Sequence, residues 1–319
     1  MITEHGDIKD EVVDLAVEAA GYLRLRRSLG WQLEDHGRVI GAFLTDLKAR
    51  GVSRITVDDA VAYASRPAGA SRVWHASRLA MLRGFADYVH TQHPGAADLI
   101  GQKLIPARNS RKTPFLYTDQ EISQLMASAG RYRPAATAAA MRTLIGLMVS
   151  TGIRIGEALA ANIEDLSADR RVLTVTGKYH KQRLVPLHPS STVALTSYLH
   201  SPDRPPSGHT GPILLGVNGT RLPHTTAHEA FRRIADECHF PARPGGPRPV
   251  PHCLRHTFAV NTLVDAHRQG ANVDARIAAL ATYLGHADPA NTYWYLTTTP
   301  ELMAIVSTRI QNYLSGKLS

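Results

Sequence analysis

His252-Cys253-Leu254-Arg255-His256, read with Arg154 about a hundred residues earlier and Tyr295 forty residues after Arg255, decides how this chain is understood. Two arginines, several histidines and a tyrosine in this order form a set of groups suited to holding a phosphodiester and attacking it. A guanidinium is planar, permanently charged and donates two parallel hydrogen bonds to non-bridging phosphate oxygens. A pair of them can therefore clamp a phosphorane-like transition state, where a lysine acts only as a point charge. The tyrosine is then the nucleophile.

The pentapeptide belongs to a longer series. Before it come Thr151-Gly152-Ile153-Arg154-Ile155-Gly156-Glu157-Ala158-Leu159 and Gly177-Lys178-Tyr179-His180-Lys181-Gln182-Arg183-Leu184-Val185-Pro186-Leu187. After it comes Leu284-Gly285-His286-Ala287-Asp288, with Tyr295 nine residues past His286. Four stretches in this order resemble the boxes of the tyrosine recombinases, the phage-integrase family. The likeness is close over residues 115–315 and looser over the first hundred. The ending Asn291-Thr292-Tyr293-Trp294-Tyr295-Leu296 with Thr299-Pro300-Glu301-Leu302 looks like the transposon-borne subgroup.

The resemblance implies a mainly α fold with a small antiparallel β-sheet. It divides the chain into a helical core-binding (SAM-like) DNA-binding domain over 1–100, a basic linker over 101–117 and an α+β catalytic integrase domain over 118–319, the two domains forming a C-shaped clamp around a duplex. Arg154 and Arg255 would neutralise the scissile phosphate. His252 and His286 would hydrogen-bond its oxygens or assist proton transfer. Tyr295 would attack phosphorus to leave a 3′-phosphotyrosyl link, and Lys178 would protonate the departing 5′ oxygen. Glu157 is expected to orient Arg154, and His256 to be a buried supporting residue. Lys181 competes with Lys178 for the acid role, and Tyr293 with Tyr295 for the nucleophile. Because the covalent intermediate keeps the bond energy, the reaction needs no cofactor and no metal. Expected partners are double-stranded DNA recombination sites, further copies of the chain in a tetramer, and sister recombinases. Two other readings remain open at this point: a type IB topoisomerase that nicks and reseals, and a catalytically idle DNA-binding accessory protein.

Composition bounds these readings. The 319 residues, 44% of them hydrophobic, suffice for two domains with separate cores. No apolar run is long enough for a membrane span and the acidic N-terminus does not resemble a signal peptide, so a cytoplasmic, nucleoid-associated bacterial protein is expected. Two cysteines, Cys238 and Cys253, are too few for a disulfide framework. The net charge of +9 points to an acidic polymer as partner, and its distribution sharpens this. Residues 1–23 are acidic, whereas Arg24 to Lys112 carry fifteen basic against seven acidic residues. Such a surplus suits sequence-independent binding to phosphates.

Along the chain, the periodicity predicts four or five short helices up to Pro94, with Gly51 stopping the second and Thr56-Val57-Asp58-Asp59 opening the third. A helix over Arg72 to His90 places Val73, Leu79, Leu82, Phe85 and Val89 on its buried side. Arg72, His75, Arg78 and Arg83 lie along the same helix, where they would reach backbone phosphates. The run from Gln102 to Pro114, which carries Arg111 and Lys112, reads as an extended basic tether. Thr118-Asp119-Gln120-Glu121 resembles a capping box. Val172–Thr176 and Arg183–Leu187 read as a hairpin with Lys178 and Lys181 at its tip, Lys181 and Arg183 being further DNA contacts, and Gly211–Leu215 as an added edge strand. Cys253, so near the site, is expected to make the protein oxidation-sensitive. His252 and His256 have a spacing that can bind zinc on a helix. The residue after His252, however, is Cys253 and not the glutamate that a zinc protease needs, and Arg255 would bring positive charge into the metal site.

Overall fold

The computed structural model describes residues 13–31, 33–107, 114–177, 181–243 and 248–285, with single positions 303, 304, 307, 311, 314 and 315. The chain divides into two compact units, Met1–Arg111 and Lys112–Ser319.

In the first unit, α1 (Leu15–Ser28), α2 (Glu34–Ala49), α3 (Val57–Ala64) and α4 (Arg72–Gln92) follow the predicted order. Three of them begin on short polar side chains: Asp14, Thr56 and Ser71 accept hydrogen bonds from backbone N–H groups of the first turn. Gly51, at φ +69°, follows the last turn of α2 in the left-handed region. Ile40, Phe43 and Leu47 from α2 meet Leu82, Phe85 and Val89 from α4 in the core. Val73, expected on the buried side of α4, is 41% exposed, because the first turn of that helix extends beyond the core. Past α4 the chain stays with the unit: Ala96, Ala97 and Ile100 enter the core, and Ile55 bonds to Ala96 and Asp98 through its own N–H and carbonyl.

The second unit contains α5 (Asp119–Arg131), α6 (Ala135–Thr151), α7 (Ile155–Ala160), β1 (Val172–Thr176), β2 (Gln182–Pro186), α8 (Pro189–Leu199), α9 (His224–Glu237), α10 (Pro251–Arg268) and α11 (Val273–Leu284). Thr118 and Glu121 form the capping box of α5 reciprocally. Helix α6 is apolar around most of its circumference, so it is stable only when surrounded. It lies against α5, α8 and α10, with Met141, Leu144, Ile145 and Met148 buried. Strands β1 and β2 pair antiparallel, Leu173 opposite Val185 and Val175 opposite Arg183.

Among the described residues the sheet has only these two strands, so Gly211–Leu215 does not form the predicted edge strand. Ile213, Leu214 and Leu215 are buried as their composition requires, but their backbone is satisfied elsewhere. Ile213 donates to Ala161, Gly211 accepts from Ile163, and the turn at Gly216–Gly219 folds the chain back so that Leu222 donates to the Leu214 carbonyl. The segment thus pairs with the irregular stretch after α7 and with the chain returning at 221–222 instead of with β1 or β2. No helix among the described residues is long and apolar enough to cross a membrane.

Candidate active site

Helix α6 ends at Gly152, whose φ of +63° places it in the left-handed C-cap conformation. Two residues later Arg154 is the N-cap of α7, so a single tight turn presents it. Glycine is required here for two reasons. A Cβ would suffer the left-handed backbone, and it would also lie 2.4 Å from Cδ1 of Phe258 and 3.1 Å from Cδ2 of Leu284.

Glu157 organises the next layer. It accepts from the Arg154 backbone N–H (2.8 Å) on Oε2 and from the Arg154 guanidinium (2.8 Å) on Oε1. Arg183 reaches across from β2 and donates to both oxygens of the same carboxylate, at 3.0 and 2.8 Å. Burial by itself would raise the Glu157 pKa, but the hydrogen bonds and charges of Arg183 and Arg154 outweigh it and hold the pKa at about 2. The expected orienting role toward Arg154 thus has a geometric basis.

Arg255, on α10, is the largest wholly buried side chain among the described residues, with none of its surface exposed. It donates to the Gly152 carbonyl at 2.8 Å and to the Leu284 carbonyl at 2.6 Å. One arginine therefore ties the end of α6 to the end of α11, just before the segment containing His286 and Tyr295. Arg255, read from the sequence as a partner of Arg154 at the phosphate, thus lies beneath the surface, unlike the half-exposed Arg154.

His252 lies in the first turn of α10 and His256 one turn on, their rings edge to face with centroids 4.5 Å apart. His252 stays open to solvent on one side. Desolvation by the surrounding protein, followed by the charges of Arg255 and Arg154, lowers its pKa below the ordinary 6.5, so it is a neutral imidazole at pH 7. Cys253 points the other way and is buried, with its thiol pKa raised by that burial. A buried thiol of raised pKa is a poor target for oxidants, which corrects the expected oxidation sensitivity.

Among the remaining candidates, Arg72 and Lys181 are exposed. Arg78 stacks 4.5 Å over the rings of Tyr63 and Trp74 and bonds to the Arg66 carbonyl, and His75 is buried against the Pro67 carbonyl. Arg183 faces inward, against the expectation of a DNA contact: besides Glu157 it donates from Nε to the Tyr283 carbonyl at 2.8 Å. The period-two alternation of β2 carries the signal for this, because Arg183 shares its face with buried Val185 while Leu184 is exposed. Lys178, His286, Tyr295, Arg111 and Lys112 lie outside the described residues, as does Tyr293.

Comparison with known proteins identifies the family. The model of the phage integrase family matches residues 116–301. The integrase/recombinase y4rB of Sinorhizobium fredii is 32% identical over 91% of this chain and 95% of its own length. The tyrosine recombinase XerD of Bifidobacterium longum is 29% identical over 87% of this chain and 88% of its own. In fold, the chain resembles the Tn1549 transposon integrase solved in complex with a circular intermediate DNA, with a TM-score of 0.65 at 16% identity over 92% of this chain and 99% of that one. With the arginine, glutamate and histidine positions on α7 and α10 inside the matched region, the chain belongs to the phage integrase family, the tyrosine recombinases.

Proposed function

We infer that this recombinase cuts and rejoins DNA at specific sites through a covalent 3′-phosphotyrosyl intermediate, with Tyr295 as nucleophile. The observation that carries the reading is the convergence of Arg154, at the start of α7, with His252 and Arg255 of α10 beside Gly152, where two permanent positive charges bear on one imidazole. The Arg154 side chain is 37% exposed, and among the described residues no acceptor meets its Nε or Nη2. Those donors are available to the non-bridging oxygens of a phosphate. Arg255 supplies charge from below in a region that water does not reach, where electrostatic stabilisation of a developing negative charge is strongest.

In the reaction the Tyr295 oxygen forms a bond to phosphorus as the bond from phosphorus to the 5′ oxygen breaks. Lys178 gives that oxygen its proton, and His252 and His286 hydrogen-bond the phosphate oxygens or assist the tyrosine in losing its own. The released 5′ hydroxyl of a second strand reverses the steps and reseals the DNA, so no external energy source enters. Duplex binding uses the basic surplus of the chain, with Arg72, Lys181, Arg111 and Lys112 as phosphate contacts. We assign Arg78 a smaller part there, since its guanidinium is already stacked and bonded. Four copies act together on two recombination sites, and sister recombinases of a mobile element are the natural companions. The setting is the bacterial cytoplasm, at the nucleoid.

The test needs a substrate, which repeated binding selection from a random-sequence duplex pool with the Tyr295→Phe protein provides. A set of nicked versions of the selected duplex traps cleavage as a denaturation-resistant adduct. Wild type and Tyr293→Phe should form the adduct and Tyr295→Phe should not. An adduct from Tyr295→Phe removes that residue from the role.

A further inference from the structure

Arg183 and Arg154 share one carboxylate, but on unequal terms. Arg183 takes both oxygens of Glu157 in a bidentate fork, whereas Arg154 touches the carboxylate through a single guanidinium nitrogen. Arg183 cannot drift from this place, because its Nε is bonded to the Tyr283 carbonyl and its side chain is only 14% exposed. The hairpin base closes over the pair: Gly177 donates to the Lys181 carbonyl, and a side-chain carbon at Gly177 would lie 3.7 Å from Oε1 of Glu157.

A buried carboxylate beside one arginine forms the two-pronged fork with that arginine, which is the preferred geometry of the pair. With Arg154 as its only cation, Glu157 would draw the Arg154 guanidinium inward and cancel most of its charge. The fork of Arg183 occupies the carboxylate first. Arg154 is then oriented by one bond while its outer donors and most of its net charge stay with the solvent-facing side.

We propose that Arg183 is a positioning residue of the cleavage reaction: by holding the Glu157 carboxylate in a bidentate fork, it keeps Arg154 from being neutralised there and leaves it directed at the scissile phosphate. This rests on the reading of Arg154 as a phosphate ligand given above. The role differs from that of a DNA contact, for which the internal bonds of Arg183 leave little capacity.

The experiment uses full-length protein and the selected duplex in two forms, one with a normal scissile phosphodiester and one with a methylphosphonate there. The methyl group replaces a non-bridging oxygen and removes the charge that Arg154 would meet. Arg183→Lys keeps the positive charge but has one nitrogen and cannot make the fork. The quantity read is the ratio of cleavage rates on the two substrates, which does not depend on how much of a variant sample is folded. Arg183→Lys should lower the ratio of diester to methylphosphonate cleavage by about tenfold or more, since misdirecting a ligand of the transition state carries a cost of that order. Arg154→Ala should lower it similarly, and the double variant should add little to either. Duplex affinity and its dependence on salt should match wild type.

An unchanged ratio, or losses that multiply in the double variant, overturns the proposal. So does a salt slope reduced by about one, which marks a direct phosphate contact. Failure of the underlying reading would look different: wild type would form no adduct, or Arg154→Ala would leave the ratio unchanged.

Discussion

Replacing Gly152 by alanine tests the geometry of the site at its narrowest point. Gly152 adopts φ +63°, where an L side chain costs about 1–2 kcal/mol. The new Cβ would also stand 2.4 Å from Cδ1 and 3.0 Å from Cγ of Phe258 and 3.1 Å from Cδ2 of Leu284. Overpacking in a filled core adds about 1–3 kcal/mol, for a total of roughly 2–5 kcal/mol. A unit of this size loses about 2–4 °C of melting temperature per kcal/mol, so thermal unfolding of Gly152→Ala should fall by at least about 4 °C. Gly156, four residues on in α7, is the internal control: a Cβ there meets nothing within 4 Å, and alanine should leave stability level or raise it by up to about 1 kcal/mol. The readout is the melting transition of the second unit in differential scanning calorimetry. Adding Phe258→Leu to Gly152→Ala should recover part of the loss, the steric part, and leave the backbone part. Equal melting temperatures for Gly152→Ala and Gly156→Ala would refute the reasoning, because they would mean that the turn presenting Arg154 is neither left-handed nor filled.

Three further outcomes follow from the charges of the site. The Glu157 carboxyl, held near 2 against an ordinary 4.5, contributes stability that is fully present above pH 4.5 and is lost as pH falls toward 2. The contribution is on the order of 3 kcal/mol, and acid unfolding of Glu157→Gln should lack this phase while wild type shows it. The His252 imidazole, with its pKa below 6.5, is neutral at pH 7 and gains a proton only on acidification, so the His252 limb of single-turnover cleavage should be level at pH 7 and decline only below pH 6.5. A decline centred above pH 6.5 that His252→Gln abolishes would reverse the sign assigned here. Lys178→Ala should lose most cleavage of an ordinary phosphodiester and regain it on a 5′-bridging phosphorothiolate, whose sulfur leaves without a proton; the same rescue in Lys181→Ala would transfer the acid role to that residue.

Much of this protein was legible from residue order alone. Helix starts at Thr56, Ser71 and Thr118 follow from side chains that cap the nearest N–H groups, and the end of α6 follows from a glycine that accepts a left-handed turn. These are local effects, decided within four residues, and so they survive into the fold unchanged. The family likewise follows from short linear boxes, each of which the chain must deliver intact. What lay beyond reach were choices made between residues distant in the chain. Ile213 to Leu215 has the composition of a strand, but its backbone partners are Ala161, Arg221 and Leu222, and only the folded chain determines which neighbour arrives. Arg183 and Arg255 carry the same charge as Arg154 and sit in equally basic stretches, yet one faces Glu157 and Tyr283 from β2 and the other is wholly buried against the carbonyls of Gly152 and Leu284. Charge and residue type are properties of a position, whereas burial and the identity of a hydrogen-bond partner are properties of the packing, because a guanidinium inside a protein must be met by whichever acceptors the tertiary structure brings to it.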